Sequence, residues 1–178
     1  MREQPWSLPV AVADIPETGR QVDLVADALT RAAVAKVAGV PGLPRLEAKF
    51  ELTRHGPDGV RVVGHVSATV EQNCVLTLEP MENEVEEDID LVFAPPRALP
   101  SNADGADERP PPDETPETLR EGIVDLGAVA TEFLLLGIDP YPRKPGAVFS
   151  APEAKENVAS SPFAALAALK KREESQDN

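Results

Sequence analysis

Cysteine occurs once in this 178-residue chain, histidine twice, and aromatic residues make up only 4% of it. A lone thiol excludes an intramolecular disulfide. So few aromatics mean a packed part that is modest in size and largely aliphatic. Positive charge is also scarce, with 17 Lys and Arg against 31 Asp and Glu and a formal net charge of −14. Such a balance disfavours a phosphate backbone as the main partner, because that affinity comes from neutralisation by Lys and Arg. Nothing approaches the roughly 18 consecutive apolar residues of a membrane span. No apolar run follows the opening Met1-Arg2-Glu3-Gln4, so no membrane partner and a cytoplasmic location are expected. Phosphate-cradling glycine loops are missing as well. His55 sits in a Gly/Pro turn and His65 on an outward strand face, and no Ser, Cys or Asp pattern frames either as a base. The expectation is a non-enzyme with no catalytic residue, no cofactor and no metal, with a small enzyme or metal protein as the last of the alternatives.

What the chain does have is alternation. Leu46, Ala48, Phe50 and Leu52 share one parity against Glu47, Lys49, Glu51 and Thr53. Val60 to Glu71 repeats the pattern through Val62, Val66, Ala68 and Val70, and the His55–Gly59 turn between the two runs predicts a hairpin. Gly64 reads as a bulge or bend. A third run, Met81 to Phe93, places Met81, Val85, Ile89, Leu91 and Phe93 on one face and Glu82, Glu84, Glu86, Asp88 and Asp90 on the other. A period of two sends the first set into a core and the second into water as a row of carboxylates. Asn83 and Glu87 interrupt the apolar face and belong toward a strand edge or mouth. Alternate strand residues stand about 6.5–7 Å apart, too sparse for a closed oxygen cage around an ion.

Between the second and third runs stands Cys74, followed by Thr77-Leu78-Glu79-Pro80 and the acidic strand. This segment resembles the central motif of the YceD family, the bacterial large-ribosomal-RNA accumulation proteins. Val124-Asp125-Leu126-Gly127, with Glu132, Leu134, Leu135 and Asp139-Pro140-Tyr141-Pro142-Arg143, resembles the family's second block. Ser161-Pro162-Phe163 through Lys170 resembles its C-terminal tail. The resemblance implies a role in accumulation or processing of large-subunit (23S) ribosomal RNA. Many members carry Cys-x-x-Cys where this chain has Cys74 and Thr77. Two thiolates at that spacing grip zinc and one does not, so no metal is carried over.

The remaining signals complete an α+β reading: one domain over residues 1–147, with a twisted antiparallel sheet that can curl toward an open barrel and is covered by helices. Short strands are expected at 8–12 and 21–25. Asp27 caps a helix whose Leu29, Ala32, Ala33, Lys36 and Val37 follow helical spacing, ending at Gly39. Asp125 caps another through Leu126, Val129, Ala130, Phe133 and Leu134. Residues 94–118, rich in Pro and acids, read as a disordered acidic loop. From Glu79 to Asp125 there are about 15 acids and about 3 bases, so the negative charge is concentrated in the third strand and this loop. Residues 148–178 read as a flexible tail carrying an amphipathic helix at 162–172, with Phe163, Leu166 and Leu169 as an apolar anchor for a partner or for its own domain.

Two surfaces compete for function. The acidic row is either a solvated face that discourages aggregation or a dock for a ribosomal protein or assembly factor with a basic surface. Tyr141, Arg143 and Lys144 are either a turn that offsets a helix dipole or a contact for ribosomal RNA, to which Lys170, Lys171 and Arg172 would add. Cys74 is expected to be a small buried side chain rather than a nucleophile.

Overall fold

Three long amphipathic strands carry the architecture, and hairpin turns hold them antiparallel. The computed structural model describes residues 4–96 and 116–149. In chain order these form β1 (Pro9–Ala11), a 3-10 turn (Val12–Asp14), β2 (Arg20–Val25), α1 (Ala28–Ala38), β3 (Gly42–His55), β4 (Gly59–Asn73), β5 (Pro80–Ala94), β6 (Glu117–Thr118), β7 (Ile123–Asp125) and α2 (Leu126–Gly137). The main sheet runs β2-β3-β4-β5-β6, antiparallel except for the short parallel β5–β6 pair. Its end strands do not meet, so the sheet is open and not a barrel. The two early strands do not form a hairpin with each other: β1 pairs with β7 as a separate ribbon, while β2 pairs with β3.

Periodicity assigned the inner face of the sheet correctly. Leu46, Ala48, Phe50 and Leu52 of β3, Val62, Val66, Ala68 and Val70 of β4, and Val85 and Ile89 of β5 are buried in one cluster with Leu126, Ala130 and Leu134 of α2. Gly64 is neither bulged nor bent out of register, lying opposite Phe50 and Ile89 in unbroken ladders. It is glycine because a Cβ there would come within 2.5 Å of the Phe50 ring and 2.6 Å of the Lys49 carbonyl oxygen. The register shift falls instead between Gly42 and Arg45.

Helix α1 is where the sequence reading fails. Asp27 caps it as expected, accepting the Thr30 N–H at 2.7 Å, and Gly39 ends it in the left-handed conformation. The buried residues, however, are Val34 and Ala35, whereas Leu29 is 83% and Val37 57% exposed. An alanine-rich helix offers several weakly apolar stripes, and the packed one contains Arg31. That residue reads as polar, but its guanidinium donates to the Ala26 carbonyl at 2.8 Å. The expected acidic loop also has structured ends, since β5 extends to Ala94 and β6 occupies Glu117–Thr118. Its central part, 97–115, and the predicted helix at 162–172 lie outside the described residues.

Val124-Asp125-Leu126-Gly127 is a clasp on the N-terminal segment. Asp125 accepts the Ala128 N–H at 3.1 Å as the α2 cap, the Leu8 N–H at 2.8 Å and the Ser7 hydroxyl at 2.5 Å. The Leu126 N–H reaches the Leu8 carbonyl at 3.0 Å. Gly127 leaves room for the Trp6 backbone, whose carbonyl carbon and oxygen would both lie 2.7 Å from a Cβ. Helix propensity alone makes Gly127→Ala favourable by about 1 kcal/mol. The clash with the Trp6 backbone reverses that sign, and a net loss of about 1–3 kcal/mol in urea unfolding is expected. Asp125→Ala loses a cap and leaves the Leu8 N–H unpaired, with an expected cost of about 2–3 kcal/mol.

Candidate functional site

The outer face of the sheet is the charged surface that the alternation predicts. Glu82, Glu84, Glu86, Asp88 and Asp90 are all exposed on β5, opposite in parity to buried Val85 and Ile89. Across the ladder they face Glu71, Thr69, Ser67, His65 and Val63 of β4 in that order. The row is not uniform. Glu84 takes the Thr69 hydroxyl at 2.7 Å and Arg45 of β3 at 2.6 Å, and these hydrogen bonds hold its carboxyl below the usual range. Asp90 accepts from Nε and Nη2 of a forked Arg61, at 2.9 and 2.7 Å, which lowers its pKa likewise. Asp88 lies 2.9 Å from His65 Nδ1. Glu82 and Glu86 form no ion pair among the described residues.

Sequence reasoning missed Arg45, Arg61 and Thr69 as partners of the row. Their outward parity was available, but the register that brings them beside particular carboxylates was not. Asn83 and Glu87, placed toward an edge, are half-buried on the inner face near the end of α2. Asn83 donates to Gln72 at 2.7 Å, and Gln72 donates to the Asp139 carbonyl at 2.8 Å, tying the end of the hairpin to the chain after α2. Glu87 abuts Gly137, where a Cβ would meet its carboxylate at 2.6 Å.

The second candidate surface lies where the Cys74 turn meets the segment after α2. Cys74 is fully buried. Its N–H donates to the Glu79 carbonyl at 2.9 Å, and its carbonyl accepts the Leu78 N–H at 2.8 Å. Leu78 takes a positive φ of 60° and is 77% exposed. The Val75 N–H donates to the Pro142 carbonyl at 2.9 Å, and the Lys144 ammonium reaches Glu79 at 3.0 Å. Lys144 is therefore matched within the domain. Arg143 is exposed and has no ion pair among the described residues, and Tyr141 is exposed beside it. The structure thus joins the residues Cys74, Thr77, Leu78, Glu79 and Pro80 to Tyr141, Arg143 and Lys144. It keeps Asp125, Leu126 and Gly127 in the clasp. Phe163, Leu166, Leu169, Lys170, Lys171 and Arg172 lie outside the described residues.

Cys74 is buried as anticipated, yet it is not electrostatically inert. The Lys144 N–H approaches its sulfur at 3.4 Å, and with the Thr77 hydroxyl and the Thr77 and Leu76 amides it draws the thiol pKa down to about 6. Among the described residues no three His, Cys, Asp or Glu side chains are grouped as a metal ion requires. Among them, too, no helix is long and apolar enough to cross a membrane.

The described residues thus form an α+β arrangement with a mostly antiparallel sheet, two helices and an exposed charged strand face. A family model described as "Large ribosomal RNA subunit accumulation protein YceD" matches residues 62–170. That match covers more than half of the chain, which therefore belongs to the YceD family. No curated protein and no solved structure matches the chain significantly.

The Cys74 contacts have a pH signature. A thiol near 8.5 in the unfolded chain and at about 6 in the folded one adds stability that is complete above the unfolded value. That stability is lost as pH falls through about 6. The melting temperature of wild type relative to Cys74→Ala is therefore expected to rise between roughly pH 5.5 and 9. Thiolate ultraviolet absorbance in the folded protein should titrate over the lower part of that range.

Proposed function

We propose that this protein is a non-catalytic ribosome-biogenesis factor, acting in the cytoplasm, that supports accumulation of large-subunit ribosomal RNA by contacting a basic ribosomal protein or assembly factor. The observation that carries this reading is the row Glu82, Glu84, Glu86, Asp88 and Asp90, fixed on one rigid strand of a YceD-family chain. Clustered like charge steers a basic partner and raises its encounter rate. Glu82 and Glu86 matter most to such steering, because Arg45 and Arg61 already offset Glu84 and Asp90, and His65 engages Asp88.

A second reading, direct RNA contact, is favoured by exposed Tyr141 beside Arg143. An aromatic face and a guanidinium together stack and pair with an unstacked base. Lys144 contributes less to it, being engaged by Glu79.

Deleting the gene in the native host is expected to lower the ratio of large- to small-subunit ribosomal RNA, and the wild-type gene to restore it. Glu82→Gln with Glu86→Gln is expected to restore it incompletely, and Tyr141→Ala with Arg143→Ala fully. The opposite pattern would favour the RNA reading, and an unchanged ratio on deletion would reject both.

A further inference from the structure

The same strand offers a second kind of recognition, through its backbone. Among the described residues β5 is paired on one side only, because β6 reaches no further than Phe93 and Ala94. From Pro80 to Val92 the opposite edge has no strand partner among the described residues, a length of roughly 40 Å at the usual rise per residue. Half of the N–H and C=O groups along such an edge point away from the sheet and can template another strand.

Proteins ordinarily blunt an edge with bulges, prolines, Lys or very short strands. Here the β4–β5 ladder runs without a register shift from Val60↔Phe93 to Asn73↔Pro80, and no proline interrupts Met81 to Ala94. Among the described residues, charge of one sign is the blunting device along this stretch. It repels a second copy of this strand while favouring one of opposite charge. On the inner face, Met81, Leu91 and Phe93 are only half-buried despite sharing parity with Val85 and Ile89, so the apolar side is incompletely covered toward this edge.

Resting on the docking reading above, we propose that the free edge of β5 receives an extended segment of a basic protein as an additional antiparallel or parallel strand. That segment would alternate Lys or Arg with apolar residues. Its cations would stand beside the carboxylate row, within about 5 Å of their cross-strand neighbours, and its apolar side chains would extend the inner face over Met81 and Leu91. Backbone pairing supplies affinity in this mode, and alternate side chains supply the choice of partner.

The test uses the full chain and a ten-residue peptide of alternating Lys and Val, with binding read by fluorescence anisotropy at low and physiological salt. Two further peptides of equal charge carry N-methyl groups on either the odd or the even amides. Strand pairing uses the amides of one parity only. One methylated peptide is therefore expected to lose at least about tenfold in affinity, since several hydrogen bonds go at once, while the other stays within about twofold. Equal binding by both methylated peptides, with loss on Glu82→Gln/Glu86→Gln, would overturn edge pairing and leave electrostatic docking standing. Absence of binding by the unmethylated peptide at low salt would overturn both.

Discussion

The register between β4 and β5 governs both what is buried and what is displayed. Side chains on a strand alternate with a strict period of two, so a slip of one residue would exchange the two faces of β5. Such a slip would bring Glu84, Glu86 and Asp88 against α2 and expose Val85 and Ile89. Burying carboxylates without partners costs far more than any surface pairing returns. The hydrophobic cluster and the acidic row are consequently two readings of one constraint. The polar link from Asn83 through Gln72 to the Asp139 carbonyl adds a local pin at the turn end of the hairpin. Gly64 and Gly137 permit close approach where a side chain would collide with Phe50 and Glu87.

Around this hairpin the family's blocks divide into two physical roles. Val124-Asp125-Leu126-Gly127 is architectural: one carboxylate caps α2 and holds the Ser7–Leu8 backbone and hydroxyl, and one glycine lets Trp6 lie against the helix. The Cys74 turn and the segment through Lys144 instead meet in space, with Cys74 sulfur and Pro142 carbonyl each receiving an N–H from the other block. Thr77 supplies a hydroxyl near the sulfur. Hydrogen bonds thus hold the turn closed.

Much of the fold was legible because long strands of strict period two leave little freedom. The hairpin, the third strand, both aspartate caps and the outward acids were all readable in this way. The illegible parts depend on partners distant in sequence. The packed stripe of α1 runs through half-buried Arg31, which donates to the carbonyl of Ala26. Strands of two or three residues such as β6 and β7 have no period to detect, and β1 found β7 rather than β2. The candidate site shows the same division. The row Glu82 to Asp90 followed from parity, whereas its selective pairing with Arg45, Arg61 and His65 required the register. Sequence spacing likewise could not bring Lys144 to Cys74.

The claim that a basic protein is recognised through the carboxylate row is tested most directly by affinity capture from native-host lysate after nuclease digestion, with wild-type and Glu82→Gln/Glu86→Gln proteins as parallel baits. The account predicts a basic protein that survives digestion on the wild-type bait and is depleted on the variant. Loss of every specific protein after digestion, or equal recovery on both baits, would contradict it.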